Sequence, residues 1–297
     1  MLAAHRFLPF IAGAAGIATF SVMDVTMKAA SIAVGVFTAL LLRCVIGTLL
    51  ILPLWLSTGG RWPERSVLKV HLIRSAVAAV MATLFFWGLV RIPIAEAIAL
   101  SFISPLIALY LASVLLGETI GRRAIGASVL GLAGVVVIAF GQGSAANEAR
   151  DPLGVAAVLV SAVFYAWNLI LQRQQAQFAG PVEVALFQNG AVGLILIAAV
   201  PWLFTPPDLP TLGWIAAAAV LATTSLMLLS WAYGRAEAQA LLPLEYTAFV
   251  WAALFGWLWF GERVTPATLA GAVLIVGACL IGAQAPPAPP DPLTSPH

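Results

Sequence analysis

Charged residues are rare inside the apolar stretches of this sequence, and Asp24, Arg43 and Glu245 are the ones with chemistry to offer. A carboxylate can hold an ammonium group or a proton, and a guanidinium can hold a carboxylate through paired hydrogen bonds. Phe20, Asp24 and Lys28 are spaced i, i+4, i+8, which places them on one side of a helix. Two readings of Asp24 follow: an i,i+4 pair with Lys28 near the helix end, or a partner for Arg43. Arg43 lies on the order of 13 Å inside its apolar run and Asp24 about 8 Å inside its own, at about 1.5 Å per residue. An arginine left unpaired at depth costs roughly 2.5–3.5 kcal/mol, so a partner is expected.

Further polar and aromatic residues lie at comparable depth. Glu245 stands beside Tyr246 and two residues after Pro243, with readings as a substrate or proton carboxylate or as a partner of Arg235. Ser101, Phe102, Ser104 and Pro105 form the matching feature earlier in the chain, where the proline removes a backbone donor and frees a carbonyl. Asn168, Gln188 and Asn189 add amides. Phe20, Phe86, Trp87, Phe102, Phe164, Trp167, Trp231 and Tyr246 complete a candidate pocket suited to an amphipathic or aromatic solute. Thr223, Thr224, Ser225 and Ser230 are expected to hydrogen-bond between helices.

The elements that must position these residues follow from composition. With 62% hydrophobic and 9% charged residues, the 297-residue chain lies far from the soluble average of about 45–50% apolar and about 25% charged. A membrane protein is implied. Apolar runs long enough to span a bilayer occur at roughly 7–28, 35–56, 68–90, 94–116, 122–141, 152–171, 182–203, 211–233, 238–260 and 265–284. Ten transmembrane helices are therefore expected. Cys44 and Cys279 read as small buried hydrophobes. The first run is not read as a cleaved signal, because Asp24 and Lys28 interrupt it.

The chain is also doubled. An offset of about 144 residues lays Phe20, Asp24 and Lys28 on Phe164, Asn168 and Gln172, Trp87 and Arg91 on Trp231 and Arg235, and Gly117-Glu118 on Gly261-Glu262. The expected division is a first repeat at 1–141, a linker at 142–151, a second repeat at 152–284 and a disordered proline-rich tail at 285–297. Nine lysines and arginines, including Arg6, Arg61, Arg65, Lys69 and Arg74, fall on the side of the N-terminus, against Lys28, Arg91, Arg150 and Arg263 on the other. This bias puts both termini in the cytoplasm. Five spans per half make the repeat inverted, a plan of secondary carriers with a site near the midplane between the halves.

Ten spans as five plus five, with "LLGE" and "WFGE" closing the fourth and ninth and a glycine-containing helix after each, resemble the drug/metabolite transporter superfamily and its EamA-type members. The resemblance implies an all-α fold of two inverted five-helix repeats in a bacterial inner membrane. It also implies transport of small metabolites by alternating access, with amino acids, aromatic and apolar ones included, as the exported substrates. The stretch "FSVMDVTMK" is also similar to members that take up a cofactor such as S-adenosylmethionine or riboflavin, which is the alternative.

Other classes fit less well. No HExxH, GxSxG or GxxxxGK[ST] pattern occurs, so neither an enzyme nor an ATP-driven pump is expected, and no metal or cofactor site is expected either. A receptor or scaffold without transport leaves the inverted repeat unexplained. Expected partners are a small solute and membrane lipid, not nucleic acid, in a monomer or homodimer. Glu118 and Glu262 are expected to pair with neighbouring arginines (Arg122 and Arg123; Arg263), and the small-residue helices at 122–141 and 265–284 to serve as scaffold or a dimer face.

Overall fold

The computed structural model describes residues 2–116, 122–140, 151–175, 178–233, 235, 244 and 246–283, and all regular structure among them is helical. The helices are α1 (Leu2–Ser57), α2 (Arg65–Leu89), α3 (Ile94–Ser101), α4 (Ser104–Leu116), α5 (Arg122–Phe140), α6 (Pro152–Gln175), α7 (Pro181–Ile197), α8 (Val200–Leu203), α9 (Leu209–Tyr233), α10 (Thr247–Phe260) and α11 (Pro266–Ala283). Among the described residues four stretches are long and apolar enough to cross a membrane, Leu8–Ser57, Arg65–Leu89, Pro152–Gln172 and Leu209–Ala232, and shorter apolar helices accompany them.

The burial pattern suits lipid. Ile11, Leu49, Val129, Leu194, Val250 and Val273 are exposed, whereas Asp24, Lys28, His71, Arg74, Asn168 and Gln175 are buried. A chain in water would be penalised for both; in hydrocarbon the apolar groups face the solvent and the charges must find one another inside.

The two runs expected as separate spans, 7–28 and 35–56, are two helical arms of α1 that meet in a reversal at Gly35. There φ is 82° and ψ 153°, a conformation that glycine alone adopts without strain. The reversal is shown by Arg43, whose Nη1 lies 4.0 Å from Met23 Sδ; twenty residues of straight helix would separate them by about 30 Å. Thr38, just past the fold, accepts from the Thr205 N–H at 2.9 Å and so ties this turn to the chain beyond α8.

The run expected at 94–116 is broken at Phe102–Ile103 into α3 and α4. Pro105 cannot donate to the carbonyl four residues back, Ser101, and the Ser104 hydroxyl donates to that carbonyl instead at 2.7 Å. The run at 182–203 is likewise interrupted between α7 and α8 at Ala198 and Ala199. Of the run at 238–260, the described helix begins at Thr247. The expected tail lies outside the described residues, as does the linker apart from Asp151, its last residue.

α1 packs along α9 and α7, α2 along α6 and α7, and α5 along α11. Small residues allow the closest of these approaches. A Cβ on Gly134 of α5 would fall 2.7 Å from the Gly271 carbonyl of α11. The scaffold expected of these two helices is thus a contact between them within one chain.

Candidate functional site

Folding α1 back on itself brings Asp24 and Arg43 into one interior region. Asp24 is buried, and the Arg43 charge acts on it through space. The two do not form an ion pair: Arg43 Nη1 and Nη2 contact Met23 Sδ at 4.0 Å and Cys44 Sγ at 3.7 Å, both weak acceptors. Asp24 Oδ1 and Arg43 Nε are buried without a hydrogen-bond partner. Gln188 Oε1 on α7 and Thr223 Oγ1 on α9 share this condition, and both helices pack on α1. Each buried polar atom left unpaired costs about 1–3 kcal/mol. Four on three adjoining helices, with opposite charges among them, suit a ligand that brings its own charges.

The i,i+4 pair of Asp24 with Lys28 is not formed. Lys28 Nζ reaches Glu262 Oε1 at 2.5 Å and donates to the Ile92 carbonyl at 2.8 Å. Glu262 Oε2 accepts from the Ile94 N–H at 2.7 Å, capping α3 where Pro93 offers no side-chain oxygen. The "WFGE" motif builds this arrangement. Gly261 turns left-handed at φ 65° to end α10, with its N–H to Trp257 O and the Glu262 N–H to Gly256 O, which throws Glu262 back towards Lys28. Gly256 leaves room for the carboxylate, since a Cβ there would sit 2.7 Å from Glu262 Oε2. Glu262 therefore pairs across the bundle and not with Arg263 as expected; Glu118 lies outside the described residues.

A second polar cluster occupies the other end of α2. Arg74 Nε donates to Asn168 Oδ1 at 3.1 Å and Nη2 to Gln172 Oε1 at 3.5 Å, while Nη1 donates to Gln175 Oε1. The Gln175 amide nitrogen lies 2.5 Å from His71 Nδ1, and His71 Nε2 lies 3.0 Å from Glu183 Oε1. Phe187 stacks on the His71 ring at 4.8 Å. Sequence reasoning placed Arg74 among the surface cations and missed its burial. A signal was present: Asn168, Gln172 and Gln175 recur at i, i+4, i+7 and so present amides on one side of α6.

The other sequence candidates divide. Phe86, Phe102 and Ser104 are buried, and Phe102 meets Tyr246 edge-on at 5.2 Å. The Ser104 hydroxyl is taken by the Ser101 carbonyl and Asn168 by Arg74. Trp87 and Trp231 each lie under an arginine four residues on, Arg91 at 3.4 Å and Arg235 at 4.2 Å. Phe164 is half-buried, whereas Phe20 and Trp167 are 39% and 41% exposed. Each i+4 step turns a helix by about 40°, so Phe20 can face outward while Asp24 and Lys28 are buried. Asn189 is buried against Gly47, and Gln188 is half-buried beside it. Glu245 lies outside the described residues. Among the described residues no group of three or more His, Cys, Asp or Glu could hold a metal ion.

Helices with apolar outer faces, ionisable side chains in the interior and polar clusters at both ends define a polytopic membrane protein. The chain belongs to the EamA-like transporter family of the drug/metabolite transporter superfamily, whose sequence pattern matches residues 8–140 and again 152–282. It is a transporter and not an enzyme. It is 28% identical over 264 residues to a pseudopaline exporter of Pseudomonas aeruginosa, covering 88% of this chain and 91% of that one. It is 28% identical to a riboflavin transporter of Rhizobium johnstonii (71% and 68% covered) and 27% identical to a probable terminal-alkyne amino-acid exporter of Streptantibioticus cattleyicolor (75% and 76%). A crystal structure with 21% identity matches at a TM-score of 0.64 over 92% of this chain and 95% of that one, which extends the likeness to the fold.

Proposed function

We propose that this chain is a bacterial inner-membrane exporter of amino acids, aromatic and apolar ones included, working by alternating access without ATP. Its ten spans form two inverted repeats, 1–141 and 152–284, with both termini cytoplasmic. The observation that carries the substrate reading is the buried, unjoined pair of Asp24 and Arg43. A zwitterion satisfies both at once: its ammonium group takes Asp24 Oδ1, and its carboxylate takes the Arg43 guanidinium. Gln188 and Thr223 complete the polar surface. Phe86, Phe102 and Tyr246 supply the apolar wall, and Glu245 a second carboxylate. The paired occurrence of the family pattern supports the repeat, and the amino-acid exporter among the relatives supports the substrate class.

Counterflow into proteoliposomes of the purified protein tests this with tryptophan, phenylalanine, threonine, methionine, S-adenosylmethionine and riboflavin. Amino acids are expected to exchange, and Asp24→Asn and Arg43→Gln are each expected to lower exchange by at least about a hundredfold, the loss of one charged contact of about 3 kcal/mol. Exchange of S-adenosylmethionine or riboflavin alone would overturn the amino-acid reading, and full exchange by either variant would overturn the site.

A further inference from the structure

Hydrogen-bonding capacity fixes the protonation of one buried residue that has no part in the zwitterion site. Arg74 offers only donors, so the Gln175 atom it meets is the amide oxygen, and the atom facing His71 Nδ1 at 2.5 Å is the amide nitrogen. A ring nitrogen that accepts from an amide carries no proton. His71 Nε2, 3.0 Å from the Glu183 carboxylate, must then be the donor of that contact. His71 is the neutral Nε2–H tautomer while this end of the bundle is closed.

A proton on Nδ1 would set one donor against another. Gln175 can turn its oxygen to the ring, but its nitrogen then faces Arg74, again donor against donor. One proton therefore breaks either the bond from Gln175 to His71 or the bond from Arg74 to Gln175. Arg74 is 2% exposed, and its hydrogen-bond partners are all neutral amides, so it has little to replace a lost acceptor. Gln175 is the last residue of α6, and Glu183 lies in the first turn of α7. Both bonds at risk join α2 to the last residue of α6, whereas the contact of His71 with Glu183 becomes an ion pair on protonation, so the strain falls between α2 and the end of α6.

We propose that His71 is a proton-binding site, reached through Glu183, and that proton binding there unlocks the end of the bundle where α2, α6 and α7 meet. The Glu183 side chain is 24% exposed while that of His71 is fully enclosed, so Glu183 is the path for the proton. The charged group bonded to the ring is Glu183 from α7; Arg74, three residues on along α2, is linked to it through Gln175, and Tyr165 is a titratable residue of α6. Arg65 and Lys69, earlier on α2, are exposed. Residues 44–57 of α1, and all of α4 and α9, carry no Asp, Glu, Lys, Arg or His. Glu96 of α3 lies beyond the far end of α2, about 30 Å along the helix from His71. Histidine is the side chain that ordinarily changes charge between pH 5 and 8. Its value as a coupling site rests on the carrier reading above; its chemistry does not.

The test uses the full chain in nanodiscs, with 15N-labelled histidine and His71 assigned by the signals lost in His71→Gln. At pH 8 the ring should be the Nε2–H tautomer, and towards pH 5 it should become imidazolium. Amide exchange in the last turn of α6, corrected for its intrinsic pH dependence, should then rise by about tenfold or more. Gln175→Glu should uncouple the two events. A carboxylate accepts from Arg74 and from the imidazolium together, so the ring protonates and the end of α6 stays closed on α2. An Nδ1–H tautomer at pH 8, a ring neutral down to pH 5, protonation without faster exchange, or opening of Gln175→Glu like the wild type would each overturn the proposal. A protein that passes these tests yet moves no solute in counterflow would sink the carrier reading and leave the switch standing.

Discussion

Lys28 joins three elements through one ammonium group: it holds Glu262 beyond α10, accepts the shelter of the Phe260 ring at 5.3 Å, and donates to Ile92 just before α3. Both partners of the ion pair are largely buried, so removing one leaves the other charge unpaired in a poorly solvated place. Lys28→Met is expected to destabilise the protein by roughly 3–5 kcal/mol, read as a lowered melting temperature in detergent. Replacing both partners, Lys28→Met with Glu262→Met, should recover part of the loss, because the desolvation cost disappears with the charges. What should persist in the double variant is the cap lost from Ile94, worth about 1 kcal/mol. A double variant less stable than Lys28→Met would contradict this account. The sequence offered Lys28 only as an i,i+4 neighbour of Asp24, because helical spacing reveals neighbours only on the same helix. Glu262 is distant along the chain, and nothing local in "MDVTMK" points to it. The burial of Asp24 and of the Arg43 Nε was legible because depth in an apolar run is itself a signal, whereas the ion pair expected between them is not formed. The Arg74 cluster was harder, since its partners are neutral amides spread along α6.

At the scale of elements, glycines decide how closely helices approach. A Cβ on Gly271 of α11 would fall 2.6 Å from the Gly134 carbonyl and nearer still to Ile138, and backbone cannot give way as a flexible side chain does. Gly277 on the same helix has nothing within 4 Å of its Cβ position. Gly271→Ala is therefore expected to cost about 1–3 kcal/mol through overpacking, whereas Gly277→Ala should be neutral or slightly stabilising by helix propensity. Thermal melts of the two variants side by side measure this, and equal effects would show that the α5–α11 contact is looser than described. The sequence located these small-residue helices but left their partner open, because a glycine stripe states a close approach without saying to what. Breaks were partly legible in the same way. Pro105 announced the interruption between α3 and α4, and the gap between the runs at 7–28 and 35–56 announced a turn whose place, Gly35, shows only in the positive φ that glycine permits.

For the whole molecule, the decisive question is whether the two halves face opposite ways. Trp87 with Arg91 and Trp231 with Arg235 occupy matching places in the two family matches, and they share one local geometry. In each, the guanidinium lies over the indole and donates to the tryptophan carbonyl, at 2.8 Å for Arg91 and 3.4 Å for Arg235. Matching residues with matching conformations mark equivalent ends of equivalent helices. In an inverted pair of repeats, such equivalent ends lie on opposite faces of the membrane. Both arginines are exposed, and the two native cysteines are buried, so each position can be read separately with an impermeant thiol reagent. Arg91→Cys is expected to react in intact cells and Arg235→Cys only in inside-out vesicles, in keeping with the cationic bias towards the side of the N-terminus. Reaction of both from one side would rule out inversion. Alternating access would then need a moving part other than two oppositely oriented repeats exchanging conformations.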